Sequence, residues 1–214
     1  MANLITLGRL LLLILVVMVA YQPPTLFQLI NVPLLILVFV SDALDGYVAR
    51  KRHETSQFGA MFDIAGDRIV ELTMWIVLAH LGLVPVWVPV IFVVRGTIVD
   101  AIRASQTRSR RASPFAVMET PLGKWLVAGR FMRAFYAVAK ATAFCWLLLL
   151  QPLPVAMPAL WSAYGAPGEA IGQVLVGIAV FLCLVRGLPV IIEFAYSERR
   201  AILGSLLRPE SSGR

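Results

Sequence analysis

Residues 41 to 71 read Ser41-DALDGYVARKRHETSQFGAMFDIAGDRIV-Glu71, and four aspartates stand in this stretch: Asp42, Asp45, Asp63 and Asp67. They form two pairs, spaced three apart and four apart. On a helix either spacing puts both side chains on one face. A basic run, Arg50-Lys51-Arg52, separates the pairs, and long apolar runs flank the whole stretch. The simplest arrangement is an antiparallel helical hairpin with both carboxylate pairs at the same end. Four carboxylates converging in an apolar chain repel one another. Hard divalent cations relieve that repulsion, and carboxylate oxygens are their preferred ligands.

Small residues follow the carboxylate faces. Gly46 is one turn from Asp42, Ala49 is one turn after Asp45, and Gly59 is one turn before Asp63. Each leaves room for a bulky ligand, and Arg50 offers a planar fork suited to phosphate. Together they suggest a pyrophosphate site. The order Asp42, Asp45-Gly46, Ala49-Arg50, Gly59, Asp63, Asp67, with its gaps of two, two, eight, three and three residues, resembles the complete signature of the CDP-alcohol phosphotransferases. Eight fixed positions at fixed gaps make a specific match. A chance set of surface acids fits poorly, because charges beside hydrocarbon are costly and usually functional.

The 214 residues are 59% hydrophobic and only 14% charged, with a mean hydropathy of +0.83. Those values indicate a membrane protein rather than a soluble domain. The formal net charge is +7. The placement of the basic residues fits a cytosolic membrane face and phosphate ligands, so nucleic acid is not an expected partner. Cys145 and Cys183 sit inside apolar runs without metal-ligand spacing, and they read as packing residues.

Six apolar stretches follow in order. The first covers residues 1–21, where a charged start precedes LLLILVVMVAY; Asn3 and Thr6 are candidate caps for it. It reads as a retained span, not a cleaved signal. The second runs from Leu26 to Ala49, with Pro33 expected to kink it. The third runs from Ala60 to Leu81. Here Glu71 either extends the acidic site or, the favoured reading, partners an arginine, and His80 is expected to lie at the far interface. The fourth covers Val86 to Ala104, with Arg95, Asp100 and Arg103. The fifth covers Lys124 to Leu150, with Arg130, Arg133 and a deeper Lys140. The sixth covers Glu169 to Tyr196, after a proline- and glycine-rich loop.

The connections after spans one, three and five hold no lysine or arginine, whereas those after spans two and four, and the tail, hold clusters of them. The positive-inside rule then places both termini and the aspartate hairpin in the cytosol. The expected fold is an all-α polytopic membrane bundle of six transmembrane helices. It forms one domain over residues 1–197, followed by a polar tail over 198–214. A bacterial cell membrane is the expected location. The carboxylates would lie about 7 to 8 Å inside the cytosolic helix ends at 1.5 Å per residue.

The family resemblance implies a reaction. A phosphatidyl group passes from CDP-diacylglycerol to a small alcohol, and CMP is released. It also implies two Mg²⁺ or Mn²⁺ ions bound by Asp42, Asp45, Asp63 and Asp67, with Asp67 also the general base for the acceptor hydroxyl. Asp42, Gly46, Ala49, Arg50 and Gly59 would line the cytidine diphosphate site. Members of the family are commonly homodimers. Arg95, Arg103, Lys124, Arg130 and Arg133 are candidates for a phosphorylated acceptor, because arginine near hydrocarbon is costly without an anion or acid; pairing with Glu71, Asp100, Glu119 and lipid phosphates is the competing explanation.

Arg95, Arg103 and Gly123-Lys124 resemble the phosphatidylglycerophosphate synthase-like branch, which implies glycerol 3-phosphate as acceptor, with inositol phosphate as runner-up. Gly96, Leu126, Ile64 and Arg68 depart from that branch's usual residues. A small transporter with an intramembrane acidic site is the competing class. It calls for polar residues through the full membrane depth, and the outer halves of these spans are almost purely apolar.

Overall fold

The computed structural model describes residues 2–52, 57–108 and 129–206, and no strand occurs among them. The helices are α1 (Ala2–Ala20), α2 (Asn31–Arg52), α3 (Gln57–His80), α4 (Trp87–Arg108), α5 (Arg130–Leu150), the short α6 (Leu153–Ala156) and α7 (Pro158–Leu206). A 3-10 turn, Leu26–Ile30, precedes α2. The chain divides into two compact units. One comprises Met1–Phe92 with Ala137–Val180, the other Val93–Tyr136 with Phe181–Arg214.

The first unit is built on aromatic packing. Trp75 of α3 stacks on Phe92 with centroids 4.7 Å apart and meets Phe144 edge-on at 4.6 Å. Phe144 in turn lies parallel to Phe39 of α2 at 6.5 Å. Such ring pairs add to the stabilisation from burial alone. The end of α1 is secured by two glutamines. Gln28 Nε2 donates to the Ala20 carbonyl at 3.2 Å, and Gln151 Nε2 donates to the same oxygen at 2.7 Å. A helix end leaves carbonyls without intrahelical donors, and these side chains satisfy one of them. Just past the end of α3 stands Gly82, whose φ of +74° is left-handed. The Gly82 amide donates to Ala79 and the Leu83 amide to Leu78, at 3.0 and 2.9 Å. That pair of bonds is a Schellman cap, which favours glycine at the left-handed position. Just beyond, Tyr21 and His80 share a hydrogen bond of 2.7 Å and tie the ends of α1 and α3 together.

The second unit has a smaller core of Val99, Ile102 and Val190, with Ile191 and Phe194 against it.

Polarity along α1 is inverted relative to a water-facing helix. Leu7, Leu11, Ile14 and Met18 are exposed, while Thr6 and Arg9 are buried. Water favours the reverse. Among the described residues two segments, Phe131–Ala156 and Pro158–Tyr196, are long and apolar enough to cross a membrane by length and composition, and Thr6–Ala20 and Leu26–Asp42 are apolar but shorter. Helices occupy the places of the six expected spans. Apolarity alone does not mark α3 and α4, whose charges interrupt their apolar runs.

Three local expectations are corrected. Thr6 does not cap a helix start, because α1 begins at Ala2 and Thr6 lies inside it. Pro33 does not sit mid-helix. Leu26–Ile30 form a separate 3-10 turn and α2 begins at Asn31, so Pro33 falls in its first turn, where a missing N–H costs no bond. The stretch before Glu169 is largely helix, not loop, since α7 already starts at Pro158. Its glycines serve close packing rather than turns. A Cβ at Gly165 would come within 2.8 Å of the Trp161 ring, and one at Gly168 within 3.1 Å of Leu150. The same helix continues to Leu206, into the stretch read as tail.

Candidate functional site

Helix α2 carries Asp42 in its second half, and α3 carries Asp63 and Asp67 in its first half. The two helices bring these three side chains together. One carboxylate oxygen from each lies within 4.8 Å of the other two. Oxygens sharing one ion at about 2.0–2.6 Å stand up to ~5 Å apart, so this donor set fits a hard divalent cation. The side chains of Asp42, Asp63 and Asp67 are 40%, 49% and 56% exposed, which leaves them open to a ligand. Gly59 is half-buried one turn before Asp63. Asp45, Gly46, Ala49 and Arg50 belong to α2, and their side chains lie outside the described residues.

At the centre of the three carboxylates is Arg9 of α1, a residue the sequence reading passed over. Its side chain is only 3% exposed. Nη1 contacts Asp42 and donates to Asp67 Oδ1 at 2.9 Å, and Nη2 lies 3.7 Å from Asp63 Oδ1. The signal was present, since Arg9 is a lone charge at the head of an apolar run. Its partners are not legible from that run, because Asp67 is 58 positions away. Gly66 makes the contact possible. A Cβ there would stand 2.5 Å from Arg9 Nη2 and 3.0 Å from Thr6 Cγ2.

One turn further along α3, Glu71 is buried. It accepts from Arg68 Nη1 at 2.9 Å, the arginine pairing expected of it, and from Lys140 Nζ at 2.6 Å. Lys140, the deeper base of the fifth stretch, thus ties α5 to α3.

The acceptor candidates belong to the second unit. Arg95 is half-buried on α4, with its side chain against Gly187 of α7, where a Cβ would meet it at 2.6 Å. Arg133 is exposed near the start of α5. Arg103 and Arg130 stand on α4 and α5, and their side chains lie outside the described residues, as does the whole of Lys124. Sequence reading also missed Arg186, which is buried on α7 with its guanidinium 5.4 Å from the centre of the Tyr136 ring.

The chain is similar to a CDP-diacylglycerol--glycerol-3-phosphate 3-phosphatidyltransferase of Mycoplasma genitalium, 27% identical over 141 residues, or 61% of this chain. That match spans 58% of the Mycoplasma protein, less than two thirds of its length. A protein of the same name from Haemophilus influenzae is 28% identical over 130 residues, 60% of this chain and 69% of its own. One from Rickettsia typhi is 29% identical over 68 residues, 32% of this chain and 38% of its own. The CDP-alcohol phosphatidyltransferase family model matches residues 1–185, a range that takes in the aspartate pairs, Arg9 and the Glu71–Lys140 tie. The chain belongs to the CDP-alcohol phosphatidyltransferase family.

Proposed function

We propose that this protein transfers a phosphatidyl group from CDP-diacylglycerol to glycerol 3-phosphate and releases CMP. The observation that carries the reading is the convergence of Asp42, Asp63 and Asp67 from two helices, in a chain of this family. The names of the similar proteins favour glycerol 3-phosphate as acceptor.

Asp42, Asp45, Asp63 and Asp67 would hold two divalent ions, Mg²⁺ or Mn²⁺, whose charge offsets that of the donor's diphosphate. Asp67 takes the proton of the acceptor hydroxyl as that oxygen attacks the phosphorus bearing the diacylglycerol. A new P–O bond forms, the bond to CMP breaks, and CMP leaves with the electron pair. Gly46, Ala49 and Gly59 leave space for the cytidine diphosphate, and Arg50 offers its fork to the phosphates. Arg95, Arg103, Lys124, Arg130 and Arg133 supply positive charge for the acceptor's phosphate.

The setting is a membrane, with residues 1–197 forming a six-span domain and the aspartates facing the cytosol. Supporting it are the outward leucines of α1, its buried Arg9 and the two long apolar segments. An apolar cleft of about 500 Å³, lined by Ile36, Phe39, Val40, Cys145 and Leu149 among others, suits an acyl chain of the donor.

The test is CMP release by the purified protein with CDP-diacylglycerol and Mg²⁺, offering glycerol 3-phosphate, inositol phosphate, inositol and serine in turn. Turnover with glycerol 3-phosphate, absent in Asp67→Asn, is the expected result. Turnover with another alcohol alone would overturn the acceptor. Neither turnover nor donor binding would return the transporter class to the front.

A further inference from the structure

We propose that Arg9 is a positioning residue of the aspartate site, the resident cation over which Asp42, Asp63 and Asp67 converge and with which incoming divalent ions compete for the same oxygens. The inference rests on the metal-site reading above and extends it to a residue on a third helix.

Three observations lead to it. First, the Arg9 side chain is only 3% exposed, yet its carboxylate partners are about half exposed. A buried charge is costly unless paired, so Arg9 keeps its place only while the aspartates face it. Second, no backbone acceptor among the described residues fixes it. Nε and Nη2 make no hydrogen bond among the described residues. Nη2 lies over bare Gly66, where even a Cβ would crowd it. Among the described residues the carboxylates hold the fork. Third, the oxygens that Arg9 contacts are on the same three side chains whose spacing suits one cation. A divalent ion and the guanidinium therefore draw on one set of donors.

Charge counting gives the consequence. Arg9 offsets one of the four aspartate charges. Two divalent ions would offset all four and leave the Arg9 charge unmatched. A diphosphate brought by the donor is the anion that would match it. Without ions, Arg9 keeps mutually repelling carboxylates converged and so preserves the site for loading. The cost of that service is a weaker affinity for the metal.

The experiment uses the full-length protein in detergent without substrate. Mn²⁺ binding is followed by electron paramagnetic resonance for the unaltered chain, Arg9→Met and Arg9→Lys. Arg9→Met removes the competing charge and should bind Mn²⁺ about tenfold more tightly, the scale on which one adjacent opposite charge acts on a carboxylate. Arg9→Lys keeps the charge and should bind as the unaltered chain does. In EDTA, Arg9→Met should melt earlier than the unaltered chain, and saturating Mn²⁺ should close the gap. Equal or weaker Mn²⁺ binding by Arg9→Met would overturn the proposal.

A second measurement needs no folded neutral variant. The Arg9 Nε resonance of the unaltered protein, assigned with Arg9→Lys, should shift as Mg²⁺ is added. A resonance indifferent to Mg²⁺ would also overturn it. CMP release enters neither measurement, so transferase activity can fail while this holds, or the reverse. Absence of Mn²⁺ binding in every variant would remove the metal site itself.

Discussion

Helix α3 carries two charged clusters one turn apart, and they are built in opposite senses. Around Asp63 and Asp67 the acids are open to solvent and the base, Arg9, is buried. Around Glu71 the acid is 8% exposed, and the bases Arg68 and Lys140 stand outside it at 24% and 17%. An open carboxylate can exchange a protein cation for a ligand cation. A buried carboxylate held by two bases would have to give up both of those contacts to do so. On the proposed reading, the difference separates a cluster that exchanges its cation from a tie that holds, on one helix.

The largest effect expected from that division is on chemistry. Asp67→Asn should lower CMP release by about 10²–10⁴-fold, the range a positioned general base contributes. Its melting temperature should barely change, since Arg9 keeps Asp42 and Asp63. Glu71→Gln, which keeps an acceptor for Lys140, should retain most activity. Equal losses of CMP release in Asp67→Asn and Glu71→Gln would erase the distinction between the clusters.

On stability the order should reverse. Glu71→Leu leaves Lys140 and Arg68 without the carboxylate that both reach, and should cost about 3–5 kcal/mol. The paired change Glu71→Leu with Lys140→Met replaces the α3–α5 tie by apolar packing and should recover most of that loss. Denaturant or thermal unfolding in detergent measures both. If the double variant is no more stable than the single one, the Glu71–Lys140 contact is not what joins the two helices.

The same two clusters mark how far the sequence could be read. The alignment of Asp63 with Asp67 was legible because helical periodicity alone aligns positions four apart. The small residues at Gly46, Ala49 and Gly59 completed a specific signature. The partners were not legible, because they come from elsewhere in the chain. Lys140 is 69 positions from Glu71, and no local pattern selects it over other bases. Arg186 was hidden in the same way, as one arginine in an apolar run. Pro33 and the Pro158–Gly168 stretch misled for a different reason. Proline and glycine were taken as breakers, whereas here Pro33 and Pro158 fall in first turns and Gly165 and Gly168 admit the Trp161 ring and Leu150. Composition marks where a helix can break, and packing decides whether it does.

The smallest effect should come from Gly66→Ala, and it probes the seam between α1 and α3. Alanine suits a helix interior better than glycine by about 1 kcal/mol. The added methyl would press on Arg9 Nη2 and the Thr6 methyl. The nearer atom ends a flexible side chain, so the guanidinium can give way while the backbone stays. The two terms should nearly cancel in the melting temperature. Displacement of the fork should nonetheless loosen its hold on Asp42 and Asp63 and tighten Mn²⁺ binding, in the same direction as Arg9→Met but by less. A Gly66→Ala protein that melts as early as Glu71→Leu would mean that Arg9 is clamped as firmly as Lys140. The open cluster would then be a second tie, and not a site that exchanges its cation.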